Sequence, residues 1–258
     1  MKMTNPVISK LNTTIENSSF VGSGEVRSAS YGGVATKSLL FALVTIASAI
    51  LSASLLFSAV ENENGDLMMF MLIGMALSFI PMLIIAFVVS FFPSTIKVLG
   101  FVYCVLEGAF LGITSAIFDA NIQGIVFSAI LATMAVFLVT LLVYRVSALR
   151  STSKFRRFIF ITFISLVAVE MLLGILSLFV PAISMVFNTF WLQLGICALS
   201  IVYATIMLYF DFENISGLVN RGMDKKYEWT VAFGLITTLI WMYIRILQLL
   251  ALLFSHND

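Results

Sequence analysis

The chain has 258 residues, of which 61% are apolar and only 10% are charged, and its mean hydropathy is +1.10. Soluble domains carry about 25% charged residues, so this composition excludes a protein with an ordinary water-facing surface. The net charge of +1 says nothing by itself about partners, and no nucleic-acid partner is predicted. The composition favours a protein embedded in the lipid bilayer.

Residues 1–37 are polar and contain four Lys or Arg side chains. A secretory signal peptide needs an apolar core close to the N-terminus, and no apolar run begins before Ser38. We therefore expect residues 1–37 to form a cytoplasmic tail that is largely disordered.

Seven apolar runs follow this tail, and each has the length of about 20 residues or more that a spanning helix needs. They cover residues 38–60, 67–92, 98–118, 122–144, 158–180, 191–210 and 229–254. Backbone groups in lipid must bond within the protein, and these runs lack the apolar–polar alternation of a β-barrel. The sequence therefore predicts an all-α membrane protein with a seven-helix transmembrane bundle over residues 38–254 and a short external tail at 255–258.

In this predicted topology, nearly all Lys and Arg residues lie on the same side of the membrane. All but one of the 14 lie in the N-terminal tail or in the second, fourth and sixth connections between runs. Cytoplasmic loops carry the excess of Lys and Arg. We therefore expect a multi-pass protein of the cell inner (plasma) membrane, with its N-terminus in the cytoplasm and its C-terminus outside.

Four ionisable side chains lie inside or at the end of an apolar run: Glu107, Glu170, Asp211 and Arg245. A charge at the bilayer centre costs roughly 2.5–3.5 kcal/mol, so each is a functional candidate. At a rise of about 1.5 Å per residue, Glu107 and Glu170 fall near the midplane. We expect Arg245 to be the counter-ion of Glu170 or Glu107, which leaves one acid to accept a proton or bind a cation. The alternative is a structural ion-pair cluster that holds the bundle together.

Asp211 ends the sixth run at its cytoplasmic boundary, and Glu213 lies just beyond it. Asp211 is either a boundary carboxylate among lipid headgroups or a pH sensor whose protonation changes the packing of a gate. Lipid would not tolerate carboxylates that face outward. We therefore expect Glu107, Glu170 and Asp211 to line one aqueous route, with Glu213 as a further candidate on the ion path.

The residue types argue against an enzyme. His256 is the only histidine and follows the last run, so no Ser–His pair or histidine metal site can form within the bilayer. Asp211 is the only aspartate that a run offers, which excludes an aspartic dyad. Cys104 and Cys197 lie far apart in apolar runs and are typical of small buried residues. No catalytic residue, no cofactor and no fixed metal site is predicted.

Residues 107–112 (EGAFLG) and 210–215 (FDFENI), with the turn at 222–229, resemble the transmembrane Bax inhibitor motif family and look like its bacterial branch. The resemblance covers about residues 30–254. It implies a bundle with a central last helix and a pH-sensitive calcium leak controlled by two aspartates, one on the sixth span and one on the last. Asp211 matches the first. The last run has no acidic residue, and Thr237 or a neighbour falls near the second position. The second run also has no arginine to latch Asp211.

Three functions remain open. The first is a cation leak with Ca²⁺ as the expected ion, because Ca²⁺ prefers oxygen ligands such as carboxylates. The second is a non-conducting partner that modulates a membrane protease or a stress response, with the N-terminal tail and residues 150–157 as contact surfaces. That basic loop could also hold anionic lipid headgroups, although setting the topology explains its charge equally well. The third is a proton-coupled transporter with Glu107 and Glu170 as a relay.

Overall fold

The computed structural model describes residues 28–146, 151–180, 185 and 189–256. Within these residues, seven helices are long and apolar enough to cross a membrane. In chain order they are α1 (Tyr31–Glu61), α2 (Gly65–Phe91), α3 (Ile96–Asn121), α4 (Ile125–Val146), α5 (Ser153–Phe179), α6 (Phe190–Asn220) and α7 (Glu228–Ser255). They confirm the predicted all-α bundle of seven spans.

Helix α1 begins at Tyr31, so the predicted end of the tail at residue 37 is too late. Ser30 caps the helix, since its hydroxyl accepts a hydrogen bond from the Gly33 N–H at 3.0 Å and satisfies one of the free donors of a helix start. The Lys37 side chain is buried and forms an ion pair with Glu228. Polar residues before Ser38 are therefore part of a packed helix, whereas residues 1–27 lie outside the described residues.

Helix α6 continues to Asn220, through residues that the sequence predicts as a loop after Asp211. Its buried residues in this extension are Phe212, Ile215 and Leu218. A spacing of three residues places them on one face of the helix. Burial of that face against the bundle explains why the polar residues between them do not end the helix.

Helix α7 lies at the centre of the bundle, as predicted, and packs against α1, α3, α4 and α6. Buried side chains occur from Glu228 to Leu247, and Met242 and Leu247 are fully buried. At its start, the Trp229 ring lies 5.6 Å from the ring of the fully buried Phe41 on α1. A helix that is apolar around most of its circumference is typical of the interior of a protein.

Helices α1 and α3 pack closely because α3 presents glycines to α1. A Cβ atom at Gly108 would collide with the Thr45 carbonyl oxygen, and one at Gly112 would collide with the Ala49 carbonyl oxygen. Two serines of α1 donate hydrogen bonds to carbonyls of α3, at 2.7 and 3.1 Å. Small residues permit such close approach between helices in a membrane.

One end of the bundle collects the starts of α1, α5 and α7 and the end of α6. The Ala29 N–H donates to the Met223 carbonyl at 2.8 Å, and the Arg156 side chain donates to Asn214. We call this the basic end. The described Lys and Arg residues of the N-terminal segment and of the predicted cytoplasmic connections belong to it: Lys37, Lys97, Arg145, Lys154, Arg156, Arg157, Arg221, Lys225 and Lys226.

Candidate functional site

Glu107 and Asp211 line one cavity of about 640 Å³ between α3, α5, α6 and α7. We call it the acidic cavity. Aromatic side chains form much of its wall, among them Phe163 and Trp241, whose rings lie 4.8 Å apart. The cavity thus joins two carboxylates from different helices within an otherwise largely apolar part of the bundle.

Glu107 lies on the buried face of α3, and only 9% of its surface is exposed. Tyr103 precedes it by one helical turn and donates its hydroxyl to Glu107 Oε1 at 3.2 Å. The other oxygen, Oε2, is buried and has no hydrogen-bond partner among the described residues. Its helix neighbour Gly108 packs against α1, so Glu107 lies next to the close contact between α1 and α3.

Asp211 lies on α6 and faces the central helix α7. A Cβ atom at Gly234 would lie 3.6 Å from Asp211 Oδ1, an ordinary contact distance, so the carboxylate lies against this part of α7. The Thr238 hydroxyl lies beside the Asp211 side chain. Asp211 Oδ2 is buried and, like Glu107 Oε2, has no partner in the described part of the chain.

The charged neighbours of these two acids are Arg156 and Arg157, which line the same cavity from α5. Arg156 is the one whose charge acts on Asp211. Its guanidinium is held by a hydrogen bond to Asn214 and lies 5.3 Å from the centre of the Phe210 ring. Neither Glu107 nor Asp211 forms an ion pair with any of the described cations.

Glu170 lies elsewhere, which corrects the expectation of one route lined by three acids. It forms an ion pair with Arg245, one of the two pairings that the sequence allows, and accepts a hydrogen bond from the Ser200 hydroxyl at 3.3 Å. Both partners line a separate cavity of about 750 Å³ with Gln248, whose side-chain oxygen accepts from Arg245 at 3.2 Å. Glu170 therefore has a fixed cation, and Glu107 and Asp211 do not.

Glu213 also lies outside the acidic cavity. Its carboxylate accepts a hydrogen bond from the Ser151 hydroxyl, and the residue lines a third cavity, at the basic end. The two acids of the FDFENI motif therefore face different spaces, because residues two apart on a helix point in different directions.

Three parts of this arrangement were not predicted. The approach of Arg156 to Asp211 and the pairing of Lys37 with Glu228 join residues that are far apart in the sequence, and no local pattern signals them. Tyr103 could have been found, because it precedes Glu107 by four residues and so shares its helix face. Of the predicted neighbours, Thr237 on α7 does line the acidic cavity.

Among the described residues, no group of three or more His, Cys, Asp or Glu side chains lies close enough to hold a metal ion. The acidic cavity thus offers two carboxylates and several hydroxyl groups. A resident Ca²⁺ site uses six to eight oxygen ligands. Two carboxylates suit an ion that binds briefly or a proton that moves on and off.

Comparison with protein families matches residues 5–255, nearly the whole chain, to one family, described as Bax inhibitor 1 like. No curated protein and no solved structure matches the chain. The match includes both motifs that suggested the relationship, as well as all seven spanning helices. The chain belongs to the Bax inhibitor 1 like family.

Proposed function

We propose that this protein is a cation leak, with Ca²⁺ as its ion, and that the ion passes through the acidic cavity. One observation carries the proposal: two buried carboxylates from different helices line the same cavity, and each has an oxygen that no described residue contacts through a hydrogen bond. A buried carboxylate without a cation is expensive. Two of them in one cavity are more readily understood as part of a cation path than as elements that stabilise the fold.

The cavity also supports a role for protons. Each of the two carboxylates that line the acidic cavity can bind or release a proton. The resemblance to the family implies a pair of aspartates at such a site, and α7 carries no acid after Glu228, its first residue. Glu107 on α3 supplies the second carboxylate instead, and Arg156 supplies a cation near Asp211. We infer that protonation of this pair changes the leak and that Asp211 is the sensor.

Calcium flux into liposomes tests the proposal. The purified protein is reconstituted, and Ca²⁺ entry is followed with an enclosed indicator at several pH values. We expect Glu107→Gln to reduce the flux severalfold and Asp211→Asn to flatten its dependence on pH. Glu61→Gln and Asp66→Asn are the matched controls. These two acids are exposed, one at the end of α1 and one at the start of α2, far from the basic end. Both should behave like the wild type.

Two results would count against a leak. If Glu107→Gln and Asp211→Asn both conduct with the flux and pH dependence of the wild type, the acidic cavity is not the path. If the wild-type protein passes no Ca²⁺ and co-purifies with a membrane protease, the non-conducting partner role is favoured.

The orientation of the protein in the membrane is inferred from the positions of its Lys and Arg residues. Lys and Arg residues crowd at the basic end, and the excess of these residues marks cytoplasmic loops. We propose that the basic end faces the cytoplasm of a plasma membrane and that the C-terminus lies outside. A fluorescent protein that does not mature after export can be fused to the C-terminus and expressed in bacterial cells. We expect no fluorescence, because the C-terminus lies outside. A fluorescent fusion would show that the C-terminus lies in the cytoplasm.

A further inference from the structure

The third cavity lies at the basic end and has a volume of about 1050 Å³. We call it the basic cavity. Three arginines at the ends of three helices line it. They are Arg145 near the end of α4, Arg156 near the start of α5, and Arg221, which directly follows α6. Residues that are distant in the sequence thus bring positive charge to one space.

The described residues neutralise only part of this positive charge. Glu213 is the only acid that lines the basic cavity among the described residues, and its carboxylate is bonded to Ser151. None of the three arginines forms an ion pair within the described part of the chain. Arg156 donates a hydrogen bond to Asn214 and lies against the Phe210 ring, and its charge also acts on Asp211 in the acidic cavity. Arginines that face a common space repel each other unless an anion lies between them.

The remaining lining fits a phosphate group that belongs to a larger molecule. A guanidinium group binds phosphate oxygens through two parallel N–H donors. Hydroxyl groups are available from Tyr227 and Thr230, and the side chains of Leu218 and Val231 provide an apolar wall. Polar donors beside apolar surface match the headgroup and glycerol region of a phospholipid.

Topology alone does not explain this arrangement. The positive charge that orients a membrane protein only has to lie in a short loop near the ends of the spans. Lys154 meets that requirement, is exposed, and does not line the basic cavity. That requirement does not explain why one cavity brings together Arg145, Arg156 and Arg221. Their convergence needs three helix ends in a defined arrangement.

We propose that the basic cavity is a binding site for the phosphate group of an anionic phospholipid. A soluble phosphate has the same chemistry, but the lipid is favoured by the place of the site, at the basic end of a bundle whose helices span the membrane. Arg145 and Arg221 are exposed side chains of the cavity that do not line the acidic cavity. They are therefore the residues through which this site can be tested separately from the leak.

Native mass spectrometry of the full-length protein provides the test. The protein is released from nanodiscs that contain equal amounts of phosphatidylglycerol and phosphatidylcholine, and the retained lipids are counted. We expect the wild type to retain phosphatidylglycerol selectively. At about 1 kcal/mol per arginine, Arg145→Gln and Arg221→Gln should each weaken retention about 5-fold, and the double variant about 25-fold. Lys154→Gln, a matched loss of one charge in the same region, should retain lipid like the wild type.

A second measurement distinguishes the source of the phosphate. Inorganic phosphate is titrated against the delipidated protein, and its thermal stability is recorded. In one outcome, phosphate stabilises the protein through Arg145 and Arg221, but the protein does not retain lipid selectively. The site would then bind phosphate, and the proposal that its ligand is a lipid would be wrong. Equal lipid retention by the double variant and by Lys154→Gln, with no phosphate effect, would overturn the site. Equal melting temperatures of the variants and the wild type without ligand show that folding is intact.

Discussion

Glu107 on α3 and Asp211 on α6 face the same cavity, and each keeps one carboxylate oxygen free of any partner among the described residues. Glu170, by contrast, is paired with Arg245. Of these three acids, Glu170 is neutralised in place, whereas Glu107 and Asp211 have no ion-pair partner among the described residues. The stability and the activity of this protein should respond differently to changes at these two kinds of acid.

Replacement of Glu107 by glutamine should leave the protein equally stable or make it more stable. An unpartnered buried carboxylate costs more than an unpartnered neutral group, for which the cost is about 1–3 kcal/mol. The amide removes the charge, and its oxygen can still accept the hydrogen bond from Tyr103. We expect a gain of about 1 kcal/mol, measured by thermal or chemical unfolding in detergent. A clear loss of stability would show that the Glu107 carboxylate is a structural element.

Neutralisation of the Glu170–Arg245 pair should leave the proposed leak unchanged. The pair lines a different cavity from Glu107 and Asp211. In the liposome assay, the double variant Glu170→Gln/Arg245→Gln should therefore keep the flux and the pH dependence of the wild type. Loss of the pH dependence in this variant would place the sensor at Glu170 instead of Asp211.

Alanine at Gly112 should destabilise the contact between α1 and α3. The added Cβ would collide with the Ala49 carbonyl oxygen, which belongs to the backbone and cannot rotate away. Such overpacking typically costs about 1–3 kcal/mol. Gly74→Ala is the control, because no atom lies within 4 Å of its added Cβ, and alanine is the better helix former. Unfolding of the two variants in the same detergent should show opposite shifts, and equal shifts would contradict the close approach.

Removal of the Lys37 charge should be more harmful than removal of both partners of its pair. Glu228 is fully buried and accepts a hydrogen bond from the Ser30 N–H at 2.8 Å. Lys37→Met leaves this carboxylate without its cation, which costs about 3–5 kcal/mol. The double variant Lys37→Met/Glu228→Gln should recover part of that loss in an unfolding experiment. If the two variants are equally stable, the Glu228 carboxylate is not destabilising when it lacks its cation.

The sequence by itself determined the class and the span count of this protein. Lipid cannot bond to backbone groups, so long apolar runs must be helices, and the seven predicted runs correspond to the seven helices of the bundle. The EGAFLG and FDFENI motifs were enough to identify the family. Helix ends were predicted less well, because Lys37 and the residues after Asp211 are polar in composition but packed in the structure.

Only the tertiary structure decided which charged residues act together. Arg245 could pair with either midplane acid, and the relative rotation of α5 and α7 selects Glu170. Asp211 and Glu213 are near neighbours in the sequence but line different cavities. Hydropathy reports how deeply a residue lies in the membrane, whereas the partner of a side chain depends on helix rotation and packing, which arise from contacts between residues far apart in the chain.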